Sequence, residues 1–359
     1  MRVLRVVPEV RSSDFERSRP SPDRTVIFVS RYSDLDESSV WPNSRQVRGW
    51  LAWLWAFRGR WRVVELPEPL WLRALPLTAS VGIAVRLADL LRGTRTRVVT
   101  YAMENNDPVA LLRGLPRPLH GVVFGVIRRL NELIYDRIAF ASVAAGDCYR
   151  ASRTLPARCV TALFEDLPEA CPEATDRERA HRVAFVGALE PRKGVSDLLA
   201  AWRESRLGTA GWELAIAGSG PLAGTVAAAA AVDPSVAALG PLDRADVRKL
   251  LADSAVVVLP SRRVGRWREQ IGLSILEGLA HGCHIVATPD TGLADWLRRN
   301  GHTTLPDSFS TADLGRALRA AATARLSPES VWSSLPPVGG RLAGEDWMCE
   351  ETLAQRGNG

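Results

Sequence analysis

Lysine is almost absent from this chain. Of 46 basic side chains, only Lys193 and Lys249 are lysines and the rest are arginines. No run of 18 or more apolar residues occurs, which excludes an ordinary membrane-spanning helix. The nearest approach, 121–139, is broken by Arg128, Arg129, Glu132 and Asp136. The basic N-terminus lacks an apolar core, so no secretory signal is expected. The five cysteines are scattered, odd in number and contain no Cys-x-x-Cys pair, a pattern of free thiols in a reducing cytoplasm. Histidine is scarce too: only His120 precedes residue 181. No Cys/His cluster has metal-ligand spacing, and His281 and His284, around a Gly-Cys turn, read as structural. No nucleic-acid-binding module is recognisable, so no nucleic-acid partner is expected.

What is present suits a globular α/β protein. A chain of 359 residues with 46% hydrophobic and 24% charged residues favours two domains over one. Residues 181–359 carry 19 basic and 19 acidic side chains, so the whole excess of +6 lies before them. Apolar runs alternate with amphipathic stretches throughout, the pattern of parallel sheets with helices on both faces. In the first half, strands are expected at 25–30, 61–66, 97–101, 138–144 and 159–163. Helices are expected at 44–57, 79–91 and 119–136. Residues 1–23 read as a flexible arm, with a rival first strand over 1–7. A first domain over 24–165 is followed by an acidic, Pro-bearing linker at 166–180. Strands resume at Val183 and recur near Glu213, Val236, Ala255, Cys283 and Thr303, giving a second domain over 181–325. A last helix is expected near 345–355.

One stretch carries the chemistry. The strand 255–260 leads to Glu269, Gly272, Leu273 and Glu277, and a further strand, 283–288, follows. Strand, loop, helix and strand form a βαβ unit, and ligands sit where such strands end. The helix is expected to begin near Ile271. The amides of Gly272 and Leu273 then lack intrahelical partners and suit a phosphate. Two carboxylates eight positions apart suit sugar hydroxyls on either side of it.

The segment 181–305 resembles the donor-binding region of the retaining glycosyltransferases of family 4, which have the GT-B fold and an E-x7-E motif. Four elements in the family's order carry the resemblance: the strand and Lys-Gly turn at 184–194, Gly218-Ser-Gly220-Pro, the loop 238–242, and Glu269 with Glu277. It implies two doubly wound Rossmann-like domains facing a cleft, with a C-terminal segment, 326–359, crossing back to the first. It implies that Glu277 binds the ribose and Glu269 the transferred sugar. Lys193, with Arg192 beside it, neutralises the diphosphate, and Gly218 and Gly220 let the backbone approach the nucleotide. Same-face attack, with the departing phosphate taking the acceptor's proton, needs neither a metal nor any other cofactor.

The sequence departs from the family at three places. Ala188 stands where the family often has arginine. Ser38 and Ser39 replace glycines of the loop after the first strand. The usual first-domain histidine has no match, and Glu104 and Asn105, in 101–108, are the acceptor-side candidates. Six of twelve tryptophans fall within 41–71, where Trp50, Trp53, Trp55 and Phe57 interleave with Arg45, Arg48, Arg58 and Arg60. An aromatic and basic helix suits an anionic membrane surface; tryptophan at helical spacing also suits a core. The expectation is a cytoplasmic, peripheral hexosyltransferase. It would use a nucleotide-sugar donor and a lipid-linked, glycan-precursor or secondary-metabolite acceptor. The alternatives are a non-catalytic partner subunit and a sugar-nucleotide epimerase of the same fold.

Overall fold

The computed structural model describes residues 2–32, 35–172, 179–265 and 267–350. The chain forms two compact units: Met1–Glu165 with Gly340–Gly359, and Asp166–Gly339.

The first unit holds seven parallel strands: β1 (Val3–Val10), β2 (Arg24–Arg31), β3 (Ser44–Gln46), β4 (Val63–Glu65), β5 (Arg97–Ala102), β6 (Arg137–Phe140) and β7 (Val160–Leu163). Their order is β3-β2-β1-β4-β5-β6-β7. The flexible arm expected over 1–23 is therefore wrong: it contains the third of seven strands and a short helix, Ser12–Glu16. Leu4, Val6 and Val10 are buried in the core. The arginines that suggested a solvated arm are paired. Arg5 Nη2 lies 2.9 Å from Asp14 Oδ1, and its Nε lies 3.6 Å from Glu65 Oε1. The helix expected over 44–57 is shorter than its pattern, because Ser44–Gln46 pairs with β2 as an edge strand and the helix spans only Ala52–Arg58.

The second unit holds six parallel strands: β8 (Ala180–Val186), β9 (Glu213–Ala217), β10 (Val236–Gly240), β11 (Ser254–Leu259), β12 (His284–Ala287) and β13 (Thr303–Thr304). Their order is β10-β9-β8-β11-β12-β13. Part of the expected linker, 173–178, lies outside the described residues. Asp166 and Leu167 are buried, and the Cys171 amide donates to the Ala280 carbonyl at 2.8 Å, so the stretch up to 172 is packed rather than loose.

The C-terminal stretch divides between the units. The helix Pro328–Ser334 stays with the second, where Trp332 Nε1 donates to the Ala280 carbonyl at 2.9 Å. The helix Gly340–Cys349 packs on β5 and β6 of the first. Its buried charges explain the attachment. Glu345 accepts from Arg24 at 2.7 Å and from Ser18 at 2.5 Å, while Arg341 pairs with Glu65 and stacks 4.5 Å from the Tyr101 ring. Burial alone would raise the Glu65 carboxyl, but Arg341, Arg5 and Arg24 overcome it and hold the pKa at about 2.

Candidate active site

An open parallel sheet leaves a crevice at the carboxyl ends of the strands where strand order reverses. In the second unit that reversal lies between β8 and β11. After β8 the chain makes a single helical turn, Pro191–Lys193, and leaves it at Gly194 with φ 73°. A Cβ at Gly194 would stand 2.1 Å from the Pro260 carbonyl oxygen, so glycine alone lets this turn close on the end of β11. The closure brings Lys193 to the loop beyond β11. Lys193 Nζ lies 2.6 Å from Glu269 Oε2, and Ser261 Oγ donates to the same oxygen at 2.9 Å. Trp267 flanks the pair: the Arg192 guanidinium lies 4.2 Å and Lys193 Nζ 5.2 Å from its ring centroid. Arg192 also pairs with Glu190 at 2.5 Å.

Two more glycine positions tighten the loops at the same end of the sheet. Gly218 and Gly220, at φ 147° and 149°, bring the loop after β9 onto the loop after β8, where the Leu189 amide donates to the Ser219 carbonyl at 2.8 Å. A Cβ on Gly218 would meet the Gly187 carbonyl oxygen at 1.8 Å. The helix after β11 spans Leu273–Ala280, with Gly272 at φ 93° as its N-cap. A Cβ there would lie 2.8 Å from a Leu259 methyl, so the helix starts tight against the end of β11. Leu273 is exposed at the helix start, and the helix dipole places partial positive charge there. Glu277, half-buried farther along, lies 3.6 Å from Arg244. Arg244 opens the helix that follows β10; of the loop expected at 238–242, residues 238–240 are the end of that strand.

The donor-side residues expected from sequence thus lie on loops and a helix that follow the carboxyl ends of β8, β9 and β11. Sequence reasoning missed Ser261, Trp267 and Arg244. For Ser261 a signal was present, since it directly follows the Leu-Pro end of the strand. Among the described residues no group of three His, Cys, Asp or Glu is placed to hold a metal ion. The sequence contains an Asp-x-Asp, Asp34-Leu35-Asp36; Asp34 lies outside the described residues, and Asp36 accepts from the Ser38 amide and hydroxyl.

Residues 180–323, less than half of the chain, match the family model described as glycosyl transferases group 1. Among solved structures, the lipopolysaccharide outer core galactosyltransferase WaaB is similar over 97% of this chain and 98% of its own, with a TM-score of 0.61 at 13% identity. Anabaena HepE, solved with UDP and glucose, is similar over 96% and 95%, with a TM-score of 0.61 at 11% identity. The fold is GT-B. Sucrose-phosphate synthase from Thermosynechococcus elongatus resembles this GT-B chain over 95% of it and 93% of its own length, with a TM-score of 0.58 at 15% identity. No curated protein matches the sequence.

In the first unit of this GT-B chain, the acceptor-side candidates scatter. Glu104 and Asn105, after β5, are buried, and Glu104 Oε1 accepts from the amide and side chain of Asn106 at 3.0 and 2.7 Å. Ser38 and Ser39 follow β2 and donate their hydroxyls to Asp36 in a local turn. Three strand spacings separate β2 from β5, roughly 14 Å. Glu68, which sequence reasoning missed, organises the Glu104 loop. Its carboxyl accepts from the Met103 and Glu104 amides at 3.1 and 3.0 Å and from Tyr149 at 3.2 Å. Burial, then the charge of Glu104, pushes its pKa up to about 8.

Proposed function

We propose that the protein is a retaining, metal-independent hexosyltransferase. It moves a sugar from a nucleotide-diphosphate donor to a lipid-linked, glycan-precursor or secondary-metabolite acceptor. The observation that carries this reading is the Lys193–Glu269 pair at the strand-order reversal of the second unit. A lysine and a carboxylate beside a glycine-capped helix start suit a ligand that is half phosphate and half sugar. The donor offers phosphate to Lys193 and hydroxyls to Glu269, so one ion pair opens into two ligand contacts. Arg192, held on the Trp267 face, adds a second cation. The amides of Gly272 and Leu273 supply fixed dipoles.

The chemistry follows from that charge. As the glycosyl–phosphate bond breaks, negative charge grows on the diphosphate. Preorganised positive charge lowers that barrier, and one such donor is typically worth about 10²–10³ in rate. Glu277 supports the nucleotide by accepting ribose hydroxyls. Charge compensation by lysine, arginine and helix amides leaves no step that calls for a metal. HepE solved with UDP-glucose, and a structure described as trehalose-6-phosphate from E. coli bound with UDP-2-fluoro glucose, make UDP-hexoses the first donors to try.

Calorimetry with UDP-hexoses and other nucleotide sugars tests the reading, with the Glu277→Ala variant beside the wild type. Donor binding that the variant loses, and donor turnover that persists in chelator, are expected. Equal affinity of the two proteins would remove Glu277 from the site, and activity restored only by magnesium or manganese would refute metal independence.

A further inference from the structure

We propose that the first unit docks on an anionic lipid bilayer through one continuous helical face, of which the helix Arg117–Ile134 is the most basic part. Three helices lie side by side there: Ala52–Arg58 packs on Leu75–Arg92, which packs on Arg117–Ile134. Each leaves large apolar side chains in water. Val122 and Val126 are 62% and 54% exposed on the third helix, Leu90 and Leu91 are 79% and 73% exposed on the second, and Trp50 is 67% exposed just before the first. Of twenty exposed large apolar side chains among the described residues, sixteen belong to the first unit. Several large apolar side chains exposed on adjacent helices are the kind of surface that marks an interaction face.

Charge selects the occupant. The basic excess of the chain lies in the same half as this face. Between residues 109 and 134 there are four arginines and one acid, Glu132, which pairs with both Arg128 and Arg129. A helix with exposed valines and leucines bordered by arginines lies flat at a lipid interface, its apolar stripe in the acyl boundary and its guanidinium groups among phosphates. A second copy of this chain, meeting the same face about a twofold axis, would bring two copies of one net-basic surface together. Gly121 and Gly125 have nothing within 4 Å of where a Cβ would stand, so no packing inside the protein calls for them.

The sequence pointed to the tryptophan-rich stretch before Arg58. The structure divides that stretch: Trp55 packs against the core, with Arg45 stacked 5.4 Å from its ring, while Trp50 and Trp53 remain exposed. They extend the docking face.

The test uses the full chain and sedimentation with vesicles of phosphatidylglycerol and phosphatidylcholine in equal parts. Binding is expected at about 0.1 M salt and loss of binding near 1 M, where the Debye length falls from roughly 10 to 3 Å. Replacing Arg128 and Arg129 by alanine is expected to weaken partitioning about fivefold per charge. Val122→Ser with Val126→Ser is expected to weaken it further while leaving melting temperature and donor binding unchanged. Failure to bind anionic vesicles at low salt overturns the proposal, as does binding that both variants retain. Equal binding to pure phosphatidylcholine would remove the role of the arginines. A concentration-dependent dimer that the valine variant dissociates would assign the face to a second copy instead. None of these outcomes depends on glycosyl transfer.

Discussion

Lys193 Nζ and Glu269 Oε2 stand 2.6 Å apart, although 76 residues separate them in the chain. Both side chains are mostly buried, at 15% and 12% exposure, so each shields the other's charge. Lys193→Ala is expected to lower kcat by about 10²–10³, with a smaller rise in donor KM, because its charge meets the leaving group most strongly in the transition state. Steady-state kinetics over a donor series measures both. Full turnover by the variant would hand the phosphates to Arg192.

Gly194 sets the position of Lys193 through backbone geometry. Gly194→Ala places a methyl 2.1 Å from a carbonyl oxygen at a positive φ, so the turn must shift. Lower stability and lost donor affinity are expected together. Gly224, in the first turn of the helix Ala223–Val232, is the control, with nothing within 4 Å of its would-be Cβ. There alanine is expected to be neutral or to stabilise by up to about 1 kcal/mol. Thermal melts of both variants separate close approach from a general intolerance of side chains.

Glu345 anchors the last helix from inside an ionic network. Glu345→Ala leaves Arg24 without its 2.7 Å partner and weakens the hold on Arg341 and Ser18. A loss of about 3–5 kcal/mol is expected, the cost of leaving a buried charge uncompensated. Chemical denaturation measures it. Faster amide exchange over 340–349 would show that the helix has come away from the sheet.

Stability is expected to fall on both sides of an intermediate pH. In the second unit, burial holds the pKa of His284 at about 4; burial and then His284 hold that of His302 at about 3. Unfolded histidine titrates near 6.5, so their contribution is complete above that and declines as pH falls towards 3. Glu68 has the opposite sign. Raised to about 8 from 4.5, it contributes fully below 4.5 and loses that contribution as pH rises through 8. Glu68→Gln is expected to flatten the alkaline limb of melting temperature against pH and to leave the acid limb alone. An unchanged alkaline limb would mean that Glu68 is ionised in the folded protein.

Much of the architecture was legible because its signals are local. Short apolar runs such as 255–259 can be satisfied only as buried strands, and β11 is buried along its whole length. Glycines at 194, 218, 220 and 272 mark turns that no side chain would fit, and all four have positive φ. The segments expected on the donor side could be set in order because each loop follows a strand and the helix Leu273–Ala280 follows β11.

Sequence by itself determined the alternation of strands and helices and the order of the donor-side motifs, because strand burial and glycine turns are written within a few residues. Tertiary structure alone decided which charges belong inside. Arg5, Arg24, Glu65 and Glu345 each look like surface residues in their own segment. They become core only when β1, β2, β4 and the last helix meet, and Ser18 finds Glu345 across 327 residues. The same holds for Lys193 and Glu269, and for Glu68 beneath the Glu104 loop. A charge is buried only where its partner is, and the partner's place is set by the packing of the whole sheet.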